Sequence, residues 1–407
     1  MYKKPDYDRA VFRILPTIIA YNFSLELEEP HSKFTFKGNI LNNFEESEIV
    51  ILLTYDALSI SHLSGNILEL WKEHNGLELS SVIPTLTGPV GLAINAGLPP
   101  ELTGFMNTKV FVPEIGNYVD MLKGKVPGYD IPLEEAGVKL RSLMWEKPAT
   151  EYFPDDYVLI NLLPSDIADS KGLNSFYSEG FKTLSYSSEI DAMYAIKRIL
   201  KILENKSDKA FISAYFSGLD SIAHAYGTEG PEWKETLELY YRITCLLKEI
   251  INNYRRRVSV YIISDHGLME IKSHTELNKD ALESFLEKNN IDLFAKSGRF
   301  AMIYADELDI EAFEEFFDHG VEVKETKKII HDLWPLANKE RFMLRAGKYT
   351  VLFKENFDIC VDRAEGKSKN PVIAELINDL RRLRANHGSP TEIELKAFFM
   401  AFSNIRE

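Results

Sequence analysis

The chain has 407 residues, of which 45% are hydrophobic and 27% charged, and its formal net charge is −15. This composition is typical of a globular protein, and the negative charge argues against binding to a nucleic-acid polymer or an anionic membrane surface. The two cysteines, Cys245 and Cys360, are too few and too scattered for a disulfide framework or a thiolate metal site. A small anionic substrate at a local cationic centre is not excluded.

The N-terminal region has a basic start but no pattern typical of a cleaved leader. Pro16 interrupts its apolar run, and no small-residue cleavage motif follows. No segment reaches the roughly 18 uninterrupted apolar residues that a membrane span needs. We therefore expect a cytoplasmic protein without a membrane partner, and the sequence leaves a homo-oligomer open.

Apolar runs and helical periodicities alternate along most of the chain. The apolar runs predict strands at 49–57, 80–83, 157–163, 210–216, 258–264 and 396–402. Helical spacing predicts helices at 61–74, 188–204, 233–254 and 372–383. Such alternation indicates an α/β fold with a mostly parallel sheet. Residues 108–150 are expected to be rich in loops, and residues 277–365 to form a smaller α+β domain inserted between the core segments 1–276 and 366–407.

The segment 81–107 is predicted to leave a strand, turn, and enter a short helix. Thr87 stands at the helix start before Gly88 and Pro89, and Gly97 is placed to end the helix. A hydroxyl at a helix N-terminus faces unpaired backbone N–H groups, which together form a favourable site for an anion. Two interpretations of Thr87 stay open at this point: an ordinary N-cap or a catalytic hydroxyl.

Carboxylate and imidazole side chains collect where the predicted strands end. In open α/β sheets ligands bind at the carboxyl ends of strands, so distant segments can converge on one site. Three carboxylates and three imidazoles would suit two divalent metals of the zinc type, although each residue alone is more often a turn or cap residue. The six residues are Asp56, Asp220, His224, Asp265, His266 and His387.

A similar triplet, Asp318-His319-Gly320, follows a predicted amphipathic helix at 309–319. Gly320 is expected to be the C-cap of that helix, so we do not assign the triplet to the metal site. The remaining histidines are interpreted as surface or structural residues: His31, His62, His74, His274 and His331.

The order and spacing of these motifs resemble the alkaline phosphatase superfamily and, within it, the type I phosphodiesterase / nucleotide pyrophosphatase family. The resemblance implies a doubly wound α/β domain with a smaller inserted domain and two divalent metal ions, usually zinc. The chain departs from the family at Ala57, where glycine is frequent, and at Thr103, where histidine is common. The resemblance rests on Asp56, Pro84-Thr85-Leu86-Thr87, the segment 97–104, Asp220-x3-His224, Ser264-Asp265-His266-Gly267 and His387-Gly388.

The resemblance also implies roles for single residues. Thr87 would be the nucleophile, and either Asn107 or Thr108 would bind a phosphoryl oxygen, Asn107 being the preferred catalytic assignment. One metal ion would be bound by Asp56, Thr87, Asp265 and His266, and the other by Asp220, His224 and His387.

The implied activity is hydrolysis of a phosphodiester or pyrophosphate bond in a small, nucleotide-like anionic phosphoester through a phosphothreonyl intermediate. Phosphonoacetate hydrolases share the pattern and also use threonine, so a C–P hydrolase is one alternative. A non-catalytic, metal-stabilised binding protein is an alternative of another class.

Overall fold

The computed structural model describes residues 2–129, 131–169, 172, 180–362 and 382–404. The predicted helix at 372–383 lies almost entirely outside these residues. Among the described helices, none is both long enough and apolar enough to cross a membrane. The cytoplasmic location stays a prediction.

The described strands and helices alternate through the first two thirds of the chain, as expected. The strands are β1 Ile49–Tyr55, β2 Leu77–Ser80, β3 Lys109–Val112, β4 Asn117–Asp120, β5 Val158–Pro164, β6 Lys182–Tyr186, β7 Ala210–Phe216, β8 Val258–Ile263, β9 Met269–Glu270, β10 Ser273–Asn278, β11 Leu293–Ser297, β12 Phe300–Tyr304, β13 Val321–Glu325, β14 Tyr349–Phe353, β15 Phe357–Asp362, β16 Ala385–Asn386 and β17 Lys396–Ser403.

The α-helices differ widely in length, and short 3₁₀ turns and one π-helical turn supplement them. They are α1 Ile14–Thr17, α2 Gly65–Glu73, α3 Thr87–Ala96, α4 Pro100–Thr103, α5 Ser165–Ala168, α6 Glu189–Leu203, α7 Gly218–Tyr226, α8 Pro231–Asn252, α9 Lys279–Lys288, α10 Ile310–Phe316, α11 Thr326–Leu333, α12 Lys339–Met343 and α13 Glu392–Leu395. The 3₁₀ turns are Tyr7–Arg9, Val11–Arg13, His31–Phe34, Gly38–Asn43, Ile60–His62, Leu140–Leu143 and Ala149–Tyr152, and the π turn is Ile18–Asn22.

A seven-stranded sheet in the order β2-β17-β8-β1-β7-β5-β6 forms the centre of the fold. Only β17 among these strands runs antiparallel to its neighbours, β2 and β8. Ile49 of β1 is in register with Ala210 of β7 and Val258 of β8, so these three central strands start level. Their carboxyl ends therefore lie side by side at one edge of the sheet.

The side chains of β1 pack alternately into two hydrophobic cores, one on each face of the sheet. Val50 and Leu52 belong to the core that also contains α3 and the N-terminal segment. Ile51 and Leu53 belong to the core formed with α2, α6, α7 and α8. Because both faces of the strand are buried, its sequence is apolar without alternation. The doubly wound α/β architecture is confirmed.

A smaller unit of four antiparallel strands, in the order β11-β12-β14-β13, lies in sequence between β8 and β17 of the central sheet. It has its own hydrophobic core, in which Phe313 and Phe317 pack near Val351. A separate cluster joins it to the central domain, where the Trp334 indole donates a hydrogen bond to Ile83 O at 2.8 Å. The smaller α+β unit expected from the sequence is therefore present, while its exact limits at 277–365 stay a prediction.

Two local predictions were wrong. The strand expected at 80–83 lies earlier, at Leu77–Ser80, because that segment pairs with β17 at the sheet edge. The region 108–150 is rich in turns and loops, as expected, and also contains the hairpin of β3 and β4. Gly320 is not the C-cap of α10: Asp318 and His319 adopt the left-handed backbone, while a side chain at Gly320 would overlap the Phe357 ring.

Candidate active site

The central strands β8, β1 and β7 bring the predicted ligands together at their carboxyl ends. Asp56 directly follows β1, and its N–H donates to Phe216 O at the end of β7 at 2.9 Å. Asp265 follows β8 after one intervening residue, and its carboxylate accepts a hydrogen bond from Ala57 N at 3.1 Å. Neighbouring parallel strands thus place side chains that lie 209 positions apart in the numbering, Asp56 and Asp265, in one buried site.

Asp56, Asp265 and His266 form one compact group, here named the Asp-Asp-His group. His266 Nε2 lies 3.5 Å from Asp56 Oδ1 and 3.4 Å from Asp265 Oδ2. One potential ligand atom from each residue lies within 4.8 Å of the other two, and all three side chains are buried. This spacing could hold one metal ion.

Asp220, His224 and His387 form a second group, the Asp-His-His group. Asp220 and His224 lie one turn apart on α7, with His224 Nε2 3.2 Å from Asp220 Oδ2. His387 comes from the loop after β16, and its Nε2 lies 3.5 Å from Asp220 Oδ1. The His266 and His387 rings stack with centroids 3.8 Å apart, so the two groups are adjacent.

The Thr87 side chain faces the Asp-Asp-His group. Helix α3 begins at Thr87, and Leu86 occupies the N-cap position without a capping side-chain hydrogen bond. The Thr87 hydroxyl lies 3.2 Å from His266 Nε2. The ordinary N-cap interpretation of Thr87 is therefore wrong, because its oxygen is turned to the site and not back to the helix. Gly97 ends the helix as predicted, with a φ of 65°.

Backbone carbonyls fix the orientation of all three imidazoles. The Nδ1 atoms of His224, His266 and His387 lie 2.7 Å from Ala385 O, 3.2 Å from Gly267 O and 2.7 Å from Thr85 O. A carbonyl oxygen can only accept a hydrogen bond, so each Nδ1 carries the proton. The three Nε2 lone pairs therefore point into the site, in the arrangement that supporting hydrogen bonds produce for metal-binding histidines.

The three carboxylates of the two groups each have an oxygen that lacks a hydrogen-bond partner within the described residues: Asp56 Oδ1, Asp220 Oδ1 and Asp265 Oδ2. Burial and the neighbouring carboxylates Asp265 and Asp220 raise the pKa of Asp56 well above its ordinary value. Burial raises the pKa of Asp265 to about 6, although a hydrogen bond from Ala57 opposes this effect. Unpartnered buried carboxylate oxygens are costly unless a cation neutralises them.

His266, His387 and Asp220 show the complementary pattern, whereas the pKa of His224 is raised, because burial, which acts to lower it, is outweighed by the hydrogen bond with Asp220 and the charge of that carboxylate together. Burial lowers the pKa of His266 to about 4, and burial with the nearby His266 lowers that of His387 to about 3. Burial also acts to raise the pKa of Asp220, but its hydrogen bond with His224 and the other imidazoles bring it down to about 2. Neutral imidazoles beside crowded carboxylates are a donor set suited to divalent metals such as zinc.

Asn107 and Thr108 lie at the junction between the core and the smaller unit. Asn107 is fully buried, donates to Ala295 O at 2.7 Å, and accepts from Thr108 N at 2.8 Å. Thr108 lines the main cleft, which opens beside the Asp-His-His group. Its hydroxyl is hydrogen-bonded to Ser297 Oγ. Their expected contacts with a phosphoryl oxygen stay predictions.

Sequence reasoning missed several residues that support the predicted ligands. The Tyr215 hydroxyl donates to Asp56 Oδ2, and Thr85 holds His387 through its carbonyl. Ala57, recognised only as a departure from the family, has a φ of 63° and uses its N–H to orient Asp265. Only the position of Tyr215 one residue before the end of β7 could have indicated its role, because residues at strand ends face the site.

A cleft of about 780 Å³ opens beside the Asp-His-His group. The core contributes Thr87, His224 and His387 to its lining, and the smaller unit contributes Lys296 and Asp358. A second, much smaller cavity of about 70 Å³ is lined by Thr87 together with Tyr215 and Asp265. The site thus has room for a small organic phosphate between the two structural units.

A sequence model of the type I phosphodiesterase / nucleotide pyrophosphatase family matches residues 50–384. The chain belongs to this family. The matched region contains Asp56, Thr87 and the ligands on α7 and after β8, and it ends just before His387. Proteins of this family are hydrolases with a divalent-metal site, so membership agrees with the two ligand groups described above.

Solved structures of similar fold include two enzyme types. Murine ectonucleotide pyrophosphatase / phosphodiesterase 5 superimposes with a TM-score of 0.59 and 16% identity, covering 86% of this chain and 87% of that one. An inactive threonine-to-alanine variant of that murine protein, in complex with AMP, gives a TM-score of 0.57 at 17% identity, covering 86% of this chain and 87% of that one.

Phosphonoacetate hydrolase from Sinorhizobium meliloti, in complex with phosphonoformate, gives a TM-score of 0.58 at 16% identity, covering 87% of this chain and 89% of that one. No curated protein matches the sequence. At these identities the structural matches establish the alkaline-phosphatase-like fold and do not distinguish between substrates.

Proposed function

We propose that this protein hydrolyses phosphodiester or pyrophosphate bonds of a small, nucleotide-like substrate, with Thr87 as the nucleophile. The observation that carries the proposal is the position of the Thr87 hydroxyl, 3.2 Å from His266 Nε2 and directly beside two sets of metal-ligand side chains. The Asp-Asp-His group, with Thr87, would hold one divalent cation, and the Asp-His-His group would hold the other. Zinc is the expected metal.

Bound cations would supply positive charge that lowers the pKa of the attacking hydroxyl and offsets charge on the phosphoryl group. Thr87 would form a bond to phosphorus while the bond from phosphorus to the leaving group breaks and its electron pair departs with that group, giving a phosphothreonyl intermediate. Water would then cleave the new bond and restore the hydroxyl. The N–H groups at the start of α3 would stabilise negative charge on the phosphoryl oxygens, with Asn107 or Thr108 as a further donor.

The chain's own residues would keep this nucleophile in place. Thr87 is fixed at the first position of a buried helix, and the backbone carbonyls of Thr85 and Gly267 orient His387 and His266. An attacking oxygen held in position avoids much of the entropic cost of bringing two reactants together.

Replacing Thr87 with alanine tests the proposal. We expect Thr87→Ala to reduce turnover of p-nitrophenyl thymidylate by at least about 1,000-fold, because nucleophile loss removes the covalent route. Zinc content, measured by emission spectrometry, should be retained because the six carboxylate and imidazole ligands are unchanged. Thr236→Ala is the matched control, because it removes a hydroxyl that donates to Glu232 O on α8 and does not line the cleft, so its turnover should match wild type. Near-wild-type turnover in Thr87→Ala would exclude Thr87 as the nucleophile.

A substrate panel distinguishes this proposal from a C–P hydrolase. The zinc-loaded protein should turn over p-nitrophenyl thymidylate or thymidine triphosphate faster than phosphonoacetate. A preference for phosphonoacetate would favour the alternative activity at the same site. Absence of turnover with every compound and with added zinc, manganese or cobalt would favour a non-catalytic binding protein.

A further inference from the structure

We propose that Lys296 selects substrates whose leaving group carries an additional acidic group, such as a phosphate. The inference rests on the proposed function, because it assigns the leaving-group side of the same site. Lys296 lies on β11 of the smaller unit and lines the main cleft beside His224 and His387. It is one of two cationic side chains among the described residues that line this cleft.

The position of the cleft identifies which part of a substrate would occupy it. In an in-line displacement the leaving group departs on the side of phosphorus opposite the attacking oxygen. The Thr87 hydroxyl is placed against His266 of the Asp-Asp-His group, and the cleft that begins at Thr87 is lined by two ligands of the Asp-His-His group, His224 and His387, and by none of the Asp-Asp-His group. A phosphoryl group between the two groups would therefore direct its leaving group into the cleft and toward Lys296.

Contacts with the core fix the backbone on both sides of Lys296. Before it, Ala295 O accepts a hydrogen bond from Asn107 Nδ2 at 2.7 Å. After it, Ser297 Oγ is hydrogen-bonded to Thr108, and Arg299 N donates to His387 O at 2.7 Å. These contacts attach β11 to the loop that carries His387. They thereby fix the position of Lys296 relative to the Asp-His-His group.

The Lys296 ammonium is held in place and retains a donor for a ligand. It donates to Gly298 O at 2.8 Å and lies 3.2 Å from Asp358 Oδ1. Asp358 is buried, and its carboxylate also accepts from Ile359 N at 2.7 Å and from Asn386 Nδ2 at 2.6 Å. An ammonium group has three N–H donors, so within the described part of the chain one remains available, with the Phe353 ring centroid 5.3 Å from Nζ. Because the side chain is already ordered, binding an anion costs less conformational entropy.

Arg382, the other cationic side chain of the cleft, is less suited to binding an acidic leaving group. Arg382 pairs with Glu276, and their side chains are 51% and 60% exposed, so solvent screens their charges. The Lys296 side chain is 21% exposed and its partner Asp358 only 4%. Solvent therefore screens the Lys296 ammonium less than the Arg382 guanidinium, while the paired Asp358 carboxylate offsets part of the ammonium charge.

Two substrates with the same thymidylyl group test the inference, since only their leaving groups differ. Lys296→Met should reduce kcat/KM for thymidine triphosphate about 10- to 100-fold, the effect of losing one hydrogen bond to a charged group. It should change kcat/KM for p-nitrophenyl thymidylate less than about twofold, because nitrophenolate has no further acidic group for the ammonium. Lys296→Arg should restore much of the activity on the triphosphate.

Lys324→Met is the matched control. Lys324 belongs to β13 of the same unit, pairs with Glu322 at 2.6 Å, and does not line the cleft. This variant should behave as wild type with both substrates. Equal losses on both substrates in Lys296→Met, or no loss on these two substrates or on phosphonoacetate, would overturn the inference.

Phosphonoacetate and inorganic pyrophosphate complete the test. A loss in Lys296→Met that is confined to phosphonoacetate would support selection of an acidic leaving group and identify it as a carboxylate. If the wild-type protein hydrolyses none of these compounds, the proposed function fails, and calorimetry of the zinc-loaded proteins with pyrophosphate decides the inference separately. Weaker pyrophosphate binding in Lys296→Met then supports the anion site, and unchanged binding refutes it.

Discussion

Ala57 shows how a single residue adapts the backbone at the site. Its φ of 63° lies in the left-handed region, which costs a non-glycine residue about 1–2 kcal/mol. The conformation directs its N–H to Asp265 Oδ1 directly after Asp56. Glycine adopts such a conformation without this cost. Alanine is accommodated here because its methyl group is fully buried in the core that packs α2 and α8.

Replacing Ala57 with glycine should change the free energy of unfolding only slightly. Relief of backbone strain offsets the lost methyl burial and the greater freedom of the unfolded chain, so we expect a change in unfolding free energy within about 1 kcal/mol. Ala93→Gly is the control, because Ala93 is equally buried but lies within helix α3. It should cost about 2 kcal/mol, since a methyl group and helix propensity are lost together. Comparable losses in denaturant unfolding for both variants would contradict this explanation.

At the scale of elements, the turn between β11 and β12 holds the loop that carries His387. Gly298 has a φ of 48°, and a side chain there would overlap His387 O. Arg299 forms a fully buried ion pair with Glu394 at 2.6 Å, and Ser389 Oγ donates to Arg299 O at 2.6 Å. The turn therefore couples the smaller unit to a residue of the Asp-His-His group.

Gly298→Ala should destabilise the protein by more than about 2 kcal/mol, because it adds a steric overlap to the cost of a positive φ. It should also weaken zinc binding in a calorimetric titration, since the His387 loop must shift. Gly116→Ala separates these effects, because Gly116 has a φ of 67° but open space around its missing side chain. The free energy of unfolding of the Gly116→Ala control should fall by about 1 kcal/mol, and this control should bind zinc normally. Normal zinc binding by Gly298→Ala would refute the coupling.

At the scale of the whole molecule, Glu101 connects distant parts of the chain. Its carboxylate accepts from the Tyr7 hydroxyl at 2.9 Å and from Leu336 N at 3.2 Å, joining the N-terminal segment, α4 and the segment after α11. Burial raises the pKa of Glu101 from 4.5 to about 7, although both hydrogen bonds oppose this effect. The folded protein therefore binds this proton more tightly than the unfolded chain does.

This difference gives stability a defined pH dependence. Between pH 4.5 and about 7 the unfolded chain releases the Glu101 proton while the folded protein retains it, so the contribution to stability falls as pH rises. Glu101→Gln imitates the protonated form and removes this component. Relative to wild type, the variant should gain up to about 3 kcal/mol of unfolding free energy between about pH 4.5 and pH 8. If the unfolding free energies of the variant and the wild type change with pH in the same way, Glu101 does not titrate in this range.

The sequence by itself determined the α/β class, the central strands and the identity of the candidate ligands. Long apolar runs mark strands that are buried on both faces, and the parallel arrangement brings their ends to one edge, so local patterns sufficed to predict that Asp56, Asp220 and Asp265 would meet. They also predicted the start of α6, where Ser188 caps the helix by accepting from Asp191 N at 3.2 Å. These features depend mainly on interactions between residues close in sequence or on the regular geometry of a sheet.

Tertiary structure decided what local patterns could not. Thr87 could have been an N-cap or a nucleophile from its sequence position, and only the tertiary structure, in which α3 and β1 share one hydrophobic core, places its hydroxyl 3.2 Å from His266. The carbonyl of Thr85 fixes the proton on His387, and β11 brings Lys296 to the cleft. Each of these contacts joins residues far apart in the chain, so it depends on how the two units pack and leaves no periodic signal in the sequence.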